Sequence, residues 1–195
     1  MGRDKALLRI SGRALAVVVA DAIVAAGADR VVAIGGDRTA LNAEGLTVVA
    51  DRYPGEGPLG GILTALGHFE HSTRPVAVLA CDLPGADPRN VAVAVEALGG
   101  LDGPAVAVPV VDGRRQWMHA SWTPVTASLL AAAYVDGERA PWRAAEALAR
   151  SGLRILEVDG PVPTGFRDVD QPSDLASDRS SDGILEDSAD LDTGR

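Results

Sequence analysis

The sequence predicts an α/β fold: a doubly wound, mainly parallel sheet with helices on both faces and an antiparallel hairpin added to it. Three observations carry this. Short apolar runs are followed by segments of helical apolar spacing three times in succession. The run Val76-Ala77-Val78-Leu79-Ala80-Cys81 shows no alternation, as expected of a central parallel strand buried on both faces. Two such runs end on an aspartate, Asp51 and Asp82, and folds of this class bind ligands beyond the carboxyl ends of their strands.

Leu15, Val18, Val19, Ala22, Ile23 and Ala26 fall at helical spacing before Gly27, which predicts a helix over 13–26. Val31 to Ile34 reads as a buried strand, 35–42 as a loop, and Leu46 to Ala50 as a second strand. Leu59, Ile62, Leu63 and Leu66 then predict a helix after the turn-prone stretch 53–58. Asp87-Pro88 is a helix start, with an N-cap carboxylate and proline at the first helical position. Beyond it, 105–111 and 116–121 flank Asp112-Gly113-Arg114-Arg115, a hairpin turn signal. Helices are predicted from Thr123-Pro124 to about 135 and from Pro141 to about 150, with a last strand over 153–158.

The length of 195 residues suits one domain, assigned to 1–176, followed by an acidic tail at 177–195. Six acids against two arginines and little apolar content predict that this tail is disordered. A net charge of −9 argues against nucleic acid or an anionic membrane surface as partner. No apolar run approaches the roughly 20 residues of a membrane span, and the N-terminus lacks a signal-peptide core, so a cytoplasmic protein is expected. Cys81 is the only cysteine, which removes intramolecular disulfides and a thiolate zinc site from consideration and predicts a buried small hydrophobe at that position.

Asp82 at a strand end can hold Mg²⁺, an ion that commonly takes one or two protein carboxylates and keeps its other positions for phosphate and water. A turn-capping aspartate before Leu83-Pro84 is the alternative. Lys5, next to Ala6-Leu7-Leu8, offers an ammonium near the start of the fold; an exposed surface lysine is its alternative. Gly57-Pro58-Leu59-Gly60-Gly61 opens a helix whose unpaired N–H groups can face an anion or a base, or serves as a plain turn.

In order, these pieces resemble the molybdenum cofactor guanylyltransferases, within the Rossmann-like nucleotidyltransferase superfamily. Met1-Gly2-Arg3-Asp4-Lys5, Asp51 with Gly57 to Gly61, Cys81-Asp82-Leu83-Pro84, Asp112 to Arg114, Gly137 to Arg139 and Asp168 to Pro172 match its motifs. The resemblance implies that Lys5 contacts the GTP phosphates, Asp51 the nucleotide, and Asp82 both the nucleotide and Mg²⁺. It implies Lys5 and Asp82 as the catalytic pair and Mg²⁺ as the cofactor. The implied reaction joins GMP from GTP to molybdopterin and releases pyrophosphate, with recipient molybdoenzymes or their chaperones as partners. Another base or acceptor (cytidylyl or sugar-phosphate), or a truncated non-catalytic relative, remains open.

The sequence departs from the family in several places. The family's first strand and glycine-rich loop, which precede the Met-Gly motif, are absent, so on this reading Met1 is an internal methionine of the motif. Ile34 stands where the family can offer a polar contact to the nucleotide. Trp117 and Met118 replace a histidine-proline pair, with Trp117 expected to fill core or pack on a ring. His119 is expected to be structural. Gln171 replaces a threonine cap, and Asp168 or Asp170 either adds a carboxylate near the metal or serves as a turn and cap.

Overall fold

The sheet of this protein falls into two parts. The computed structural model describes residues 4–169; Asp170, Gln171 and the acidic tail lie outside them. An opening hairpin of β1 (Arg9–Ile10) and β2 (Arg13–Ala14) leads into α1 (Leu15–Ala25). Then come β3 (Ala33–Ile34), α2 (Arg38–Ala43), β4 (Val48–Val49), α3 (Pro58–His68), β5 (Val76–Leu79) and α4 (Pro88–Glu96). The second half holds β6 (Ala105–Val111), β7 (Arg114–Arg115), β8 (His119–Trp122), α5 (Ala127–Val135), α6 (Pro141–Ala149) and β9 (Arg154–Asp159).

β3 and β4 pair parallel, Ala33 with Val48 and Ile34 with Val49. The larger part runs β5-β8-β6, with β9 parallel to β6 over Ala105↔Arg154 to Val110↔Asp159. β8 is antiparallel to both β5 and β6, so β5, β6 and β9 share one direction, with β8 running against them. The expected hairpin is present: Asp112 and Gly113 both have positive φ, and Val111 pairs with Arg114. The chain leaving it does not add at an edge; β8 inserts between β5 and β6, where Trp122 can be buried completely.

The main core lies where α3, α5 and α6 cover β6 and β8, with Leu59, Ile62, Leu66, Val106, Val108, Trp122 and Leu130. α4 covers the opposite face through Ala94, with Leu98 just beyond its end, against Ala105 and Ala107. Helices therefore lie on both faces, as the periodicity predicts.

Among the described residues no strand joins β3 to β5. A slit separates them, and a cavity of about 420 Å³ is lined from both sides by Ala33, Ile34, Val76 and Val78. The consequence reaches β5: Val76 is buried, but Ala77, Val78 and Leu79 are only half-buried, contrary to the expectation of a strand covered on all sides. The span 35–42, expected to be loop, contains α2. Asp37 caps it by accepting a hydrogen bond from the Ala40 N–H at 3.0 Å, and one buried residue, Leu41, is too little apolar periodicity to reveal a six-residue helix. No helix among the described residues is long and apolar enough to cross a membrane.

Candidate active site

Lys5 and Asp82 are far apart in sequence and meet in the fold. Lys5 lies in a 3₁₀ turn, Lys5–Leu7, capped by Asp4, whose Oδ1 accepts from the Ala6 N–H at 3.1 Å. Asp4 Oδ2 accepts from the Asp37 N–H at 3.4 Å, which ties this turn to the start of α2. Asp82 follows β5, and its carbonyl accepts from the Val169 N–H at 3.1 Å. Lys5 Nζ donates to Asp82 Oδ2 at 3.4 Å, with side chains 38% and 17% exposed. A partly exposed pair of this kind contributes at most about 1 kcal/mol to stability. Its significance is positional, because it places an ammonium and a carboxylate at one strand end.

Cys81, expected to be buried, is exposed. It lies two residues past the end of β5 and lines the cavity, and among the described residues no strand covers it. Packing of nearby atoms and then the charges of Asp82 and Asp4 push the thiol up to about 11. At neutral pH it is a protonated thiol rather than a nucleophile.

Asp51 holds its own loop in shape. Its Oδ1 accepts from the Tyr53 N–H at 3.0 Å and from Thr64 Oγ1 at 2.9 Å, while Thr64 Oγ1 accepts from the Arg52 N–H at 3.1 Å. Thr64 is buried in α3. Asp51 nonetheless lines the same cavity as Asp4, Gly36, Gly57, Pro58 and Cys81, so the fold brings the strand ends and the glycine turn to one opening.

The segment after β9 closes over Asp82. Buried Asn90 in α4 donates from Nδ2 to the Val162 carbonyl at 2.9 Å and accepts from the Val162 N–H at 3.0 Å. His119 lies against Phe166 at 4.8 Å between ring centres, and burial pushes its pKa down to about 4. It is a neutral, structural imidazole, as expected. Trp117 packs against the main core, 6.4 Å from the Trp122 ring, with the Arg115 guanidinium 5.9 Å from its own. Asp168 is exposed beside Val169, and Asp170 lies outside the described residues. Thr64 and Asn90 were missed by sequence reasoning. Each is a single polar residue on the buried face of an apolar helix, and that is the signal that could have found them.

Among the described residues no three His, Cys, Asp or Glu side chains gather as a metal cluster. A single strand-end carboxylate suits an ion such as Mg²⁺ that takes most of its ligands from phosphate and water, and it does not suit a metal held by a protein cage. Asp82 is the residue that would hold it.

Strand ends carrying acids, a lysine brought to one of them and a glycine turn opening a helix together define a doubly wound, nucleotide-transferring α/β protein as the class. The sequence model of the MobA-like NTP transferase domain matches residues 1–153. The chain belongs to this family and is a nucleotidyltransferase. It is 26% identical over 183 residues to the probable molybdenum cofactor guanylyltransferase of Methanothermobacter thermautotrophicus, covering 90% of each chain. Among solved structures it resembles a nucleotidyl transferase from the same archaeon, with a TM-score of 0.68 and 21% identity over 90% of this chain and 83% of that one. It also resembles molybdopterin-guanine dinucleotide biosynthesis protein A from Archaeoglobus fulgidus, with a TM-score of 0.66 and 21% identity over 90% and 89%.

Proposed function

We propose that this protein transfers GMP from GTP to molybdopterin and releases pyrophosphate. The observation that carries the reading is the 3.4 Å approach of Lys5 to Asp82, whose chain neighbours Asp4 and Cys81 line the opening shared with Asp51 and the Gly57 turn. The names of the relatives from M. thermautotrophicus and A. fulgidus favour molybdopterin as the acceptor.

In this reaction an oxygen of the acceptor phosphate attacks the α-phosphorus of GTP. The α–β anhydride bond breaks, and its electron pair leaves with pyrophosphate. An ionised phosphate needs no general base, which fits a site whose histidine is buried and neutral. What the protein supplies is charge balance and placement. Lys5 exchanges its contact with Asp82 for the triphosphate oxygens, which frees the Asp82 carboxylate for the nucleotide. Asp82 is the residue that would hold Mg²⁺, and the ion would supply neutralisation of the negative charge on the leaving group. Asp51, with one oxygen committed to its own loop, faces the nucleotide with the other.

The test is pyrophosphate release from Mg-GTP and molybdopterin, run beside the other three NTPs. Release with GTP that falls by about 10²- to 10³-fold in Asp82→Ala supports the assignment. Release that is unaffected by Asp82→Ala, or that prefers another nucleotide, rejects it.

A further inference from the structure

Gly57 and Pro58 line the opening with Asp4, Asp51 and Cys81, and the backbone at Gly57 has φ 87° and ψ 176°, a conformation accessible essentially to glycine alone. Such a turn is held by its surroundings rather than by its own preferences. On the side away from the opening, Arg139 supplies the support. Its carbonyl accepts from the Leu59 N–H at 3.2 Å, taking up one of the unpaired amides of the first turn of α3. A Cβ at Gly57 would lie 3.6 Å from both this carbonyl and the Arg139 Cβ, so the two backbones are in close register.

The Arg139 side chain extends the contact. Nε donates to Glu56 Oε2 at 2.8 Å, on the residue preceding Gly57, while Nη1 donates to the carbonyls of Tyr134 and Glu138 at 2.8 and 2.9 Å. The guanidinium lies 3.9 Å from the centre of the Tyr134 ring, and that ring sits 4.5 Å from Tyr53. Tyr53 in turn closes on the helix: its carbonyl accepts from the Glu56 N–H at 3.1 Å, and a Cβ at Gly60 would meet the Tyr53 Cβ at 2.7 Å. Arg139, Glu56, Tyr53 and Tyr134 thus form a closed ring of contacts behind the turn. The opposing ends of that ring come from elements over 70 residues apart in the chain. An exposed ion pair adds little stability by itself. A planar fork with several fixed donor directions, by contrast, sets the geometry of what it holds.

We propose that Arg139 is a positioning residue for the nucleotide, acting through Glu56 to hold the Gly57–Pro58 turn in its binding shape. The inference rests on the nucleotidyl-transfer reading and deepens it. Loss of the clamp loosens nucleotide binding and leaves the reacting groups at Asp82 and Lys5 in place.

The experiment uses the full chain and its Arg139→Ala, Arg139→Lys and Glu56→Gln variants, with Mg-GTP as probe. It reads Kd for the nucleotide, KM against kcat for pyrophosphate release, and Tm without ligand. Expected are a Kd and KM raised by about 10-fold in Arg139→Ala, a kcat within about 3-fold of wild type, and no rescue by lysine. Glu56→Gln, an exposed change that leaves packing intact, raises Kd by about 3-fold and provides the answer should Arg139→Ala fail to fold. An unchanged Kd with a lowered Tm makes the clamp purely structural and overturns the proposal, as does a fall in kcat at unchanged KM. Those outcomes leave the nucleotidyltransferase reading standing. Wild-type protein that neither binds nor turns over any NTP overturns both.

Discussion

β5 and β6 run in the same direction in one sheet, yet their surroundings are opposite. Ala105 to Val108 of β6 are fully buried between β8 and β9, with helices above and below. Among the described residues β5 pairs on one edge only, and three of its four residues remain half-exposed beside the slit. Strand burial is therefore set by the neighbours on both edges and both faces rather than by the apolarity of the strand itself. The closed half supplies the stability. The open half carries Asp82, Cys81, Asp51 and Lys5, so the proposed site lies beside the less covered strand.

The largest effect expected from this division lies in the closed half. Trp122→Ala removes the largest fully buried side chain and should cost about 3–5 kcal/mol in chemical denaturation, whereas Val78→Ala beside the slit should cost about 1 kcal/mol. Equal losses would break the comparison.

Next in size is the acid response of His119. Its folded pKa of about 4 lies below the ordinary 6.5, so the unfolded chain takes up the proton first. Folded-state stability should be whole above about pH 6.5 and fall as pH drops toward 4, by on the order of 3 kcal/mol if this residue dominates. Denaturation midpoints across that range, compared with His119→Phe, measure it; a variant with the same slope as wild type removes His119 as the cause.

Smaller again, and confined to the open half, is Lys5→Ala. It should raise KM for GTP by about 10-fold or more while changing Tm little, since the Lys5–Asp82 pair is partly exposed. A large fall in Tm instead would mean that the pair serves the fold.

Most elements were legible because apolar periodicity reports which face an element buries. Asp87-Pro88 announced α4, and Asp112-Gly113 announced the β6–β7 turn, because caps and tight turns depend on residues next to one another. α2 was missed because its cap and one leucine are a weak signal. The β1–β2 hairpin was missed because its turn, Ser11-Gly12, lies between strands of two residues each. Of the site, Asp51, Asp82 and Lys5 were legible as residue types at strand and turn ends. Arg139 could be matched only as a motif, since its contacts with Glu56 and Tyr134 depend on the packing of α5 against α3.

The sequence by itself determined the alternation of strands and helices, the acids at the strand ends and that these 195 residues form no internal disulfide, because these follow from local spacing and residue type. Only the tertiary structure decided that β8 enters between β5 and β6, that a slit leaves β5 half-exposed and Cys81 open, and that Lys5 reaches Asp82. Those facts depend on which distant segments become neighbours, and that is settled by the sum of many small packing terms over the whole chain, which no short window of residues contains.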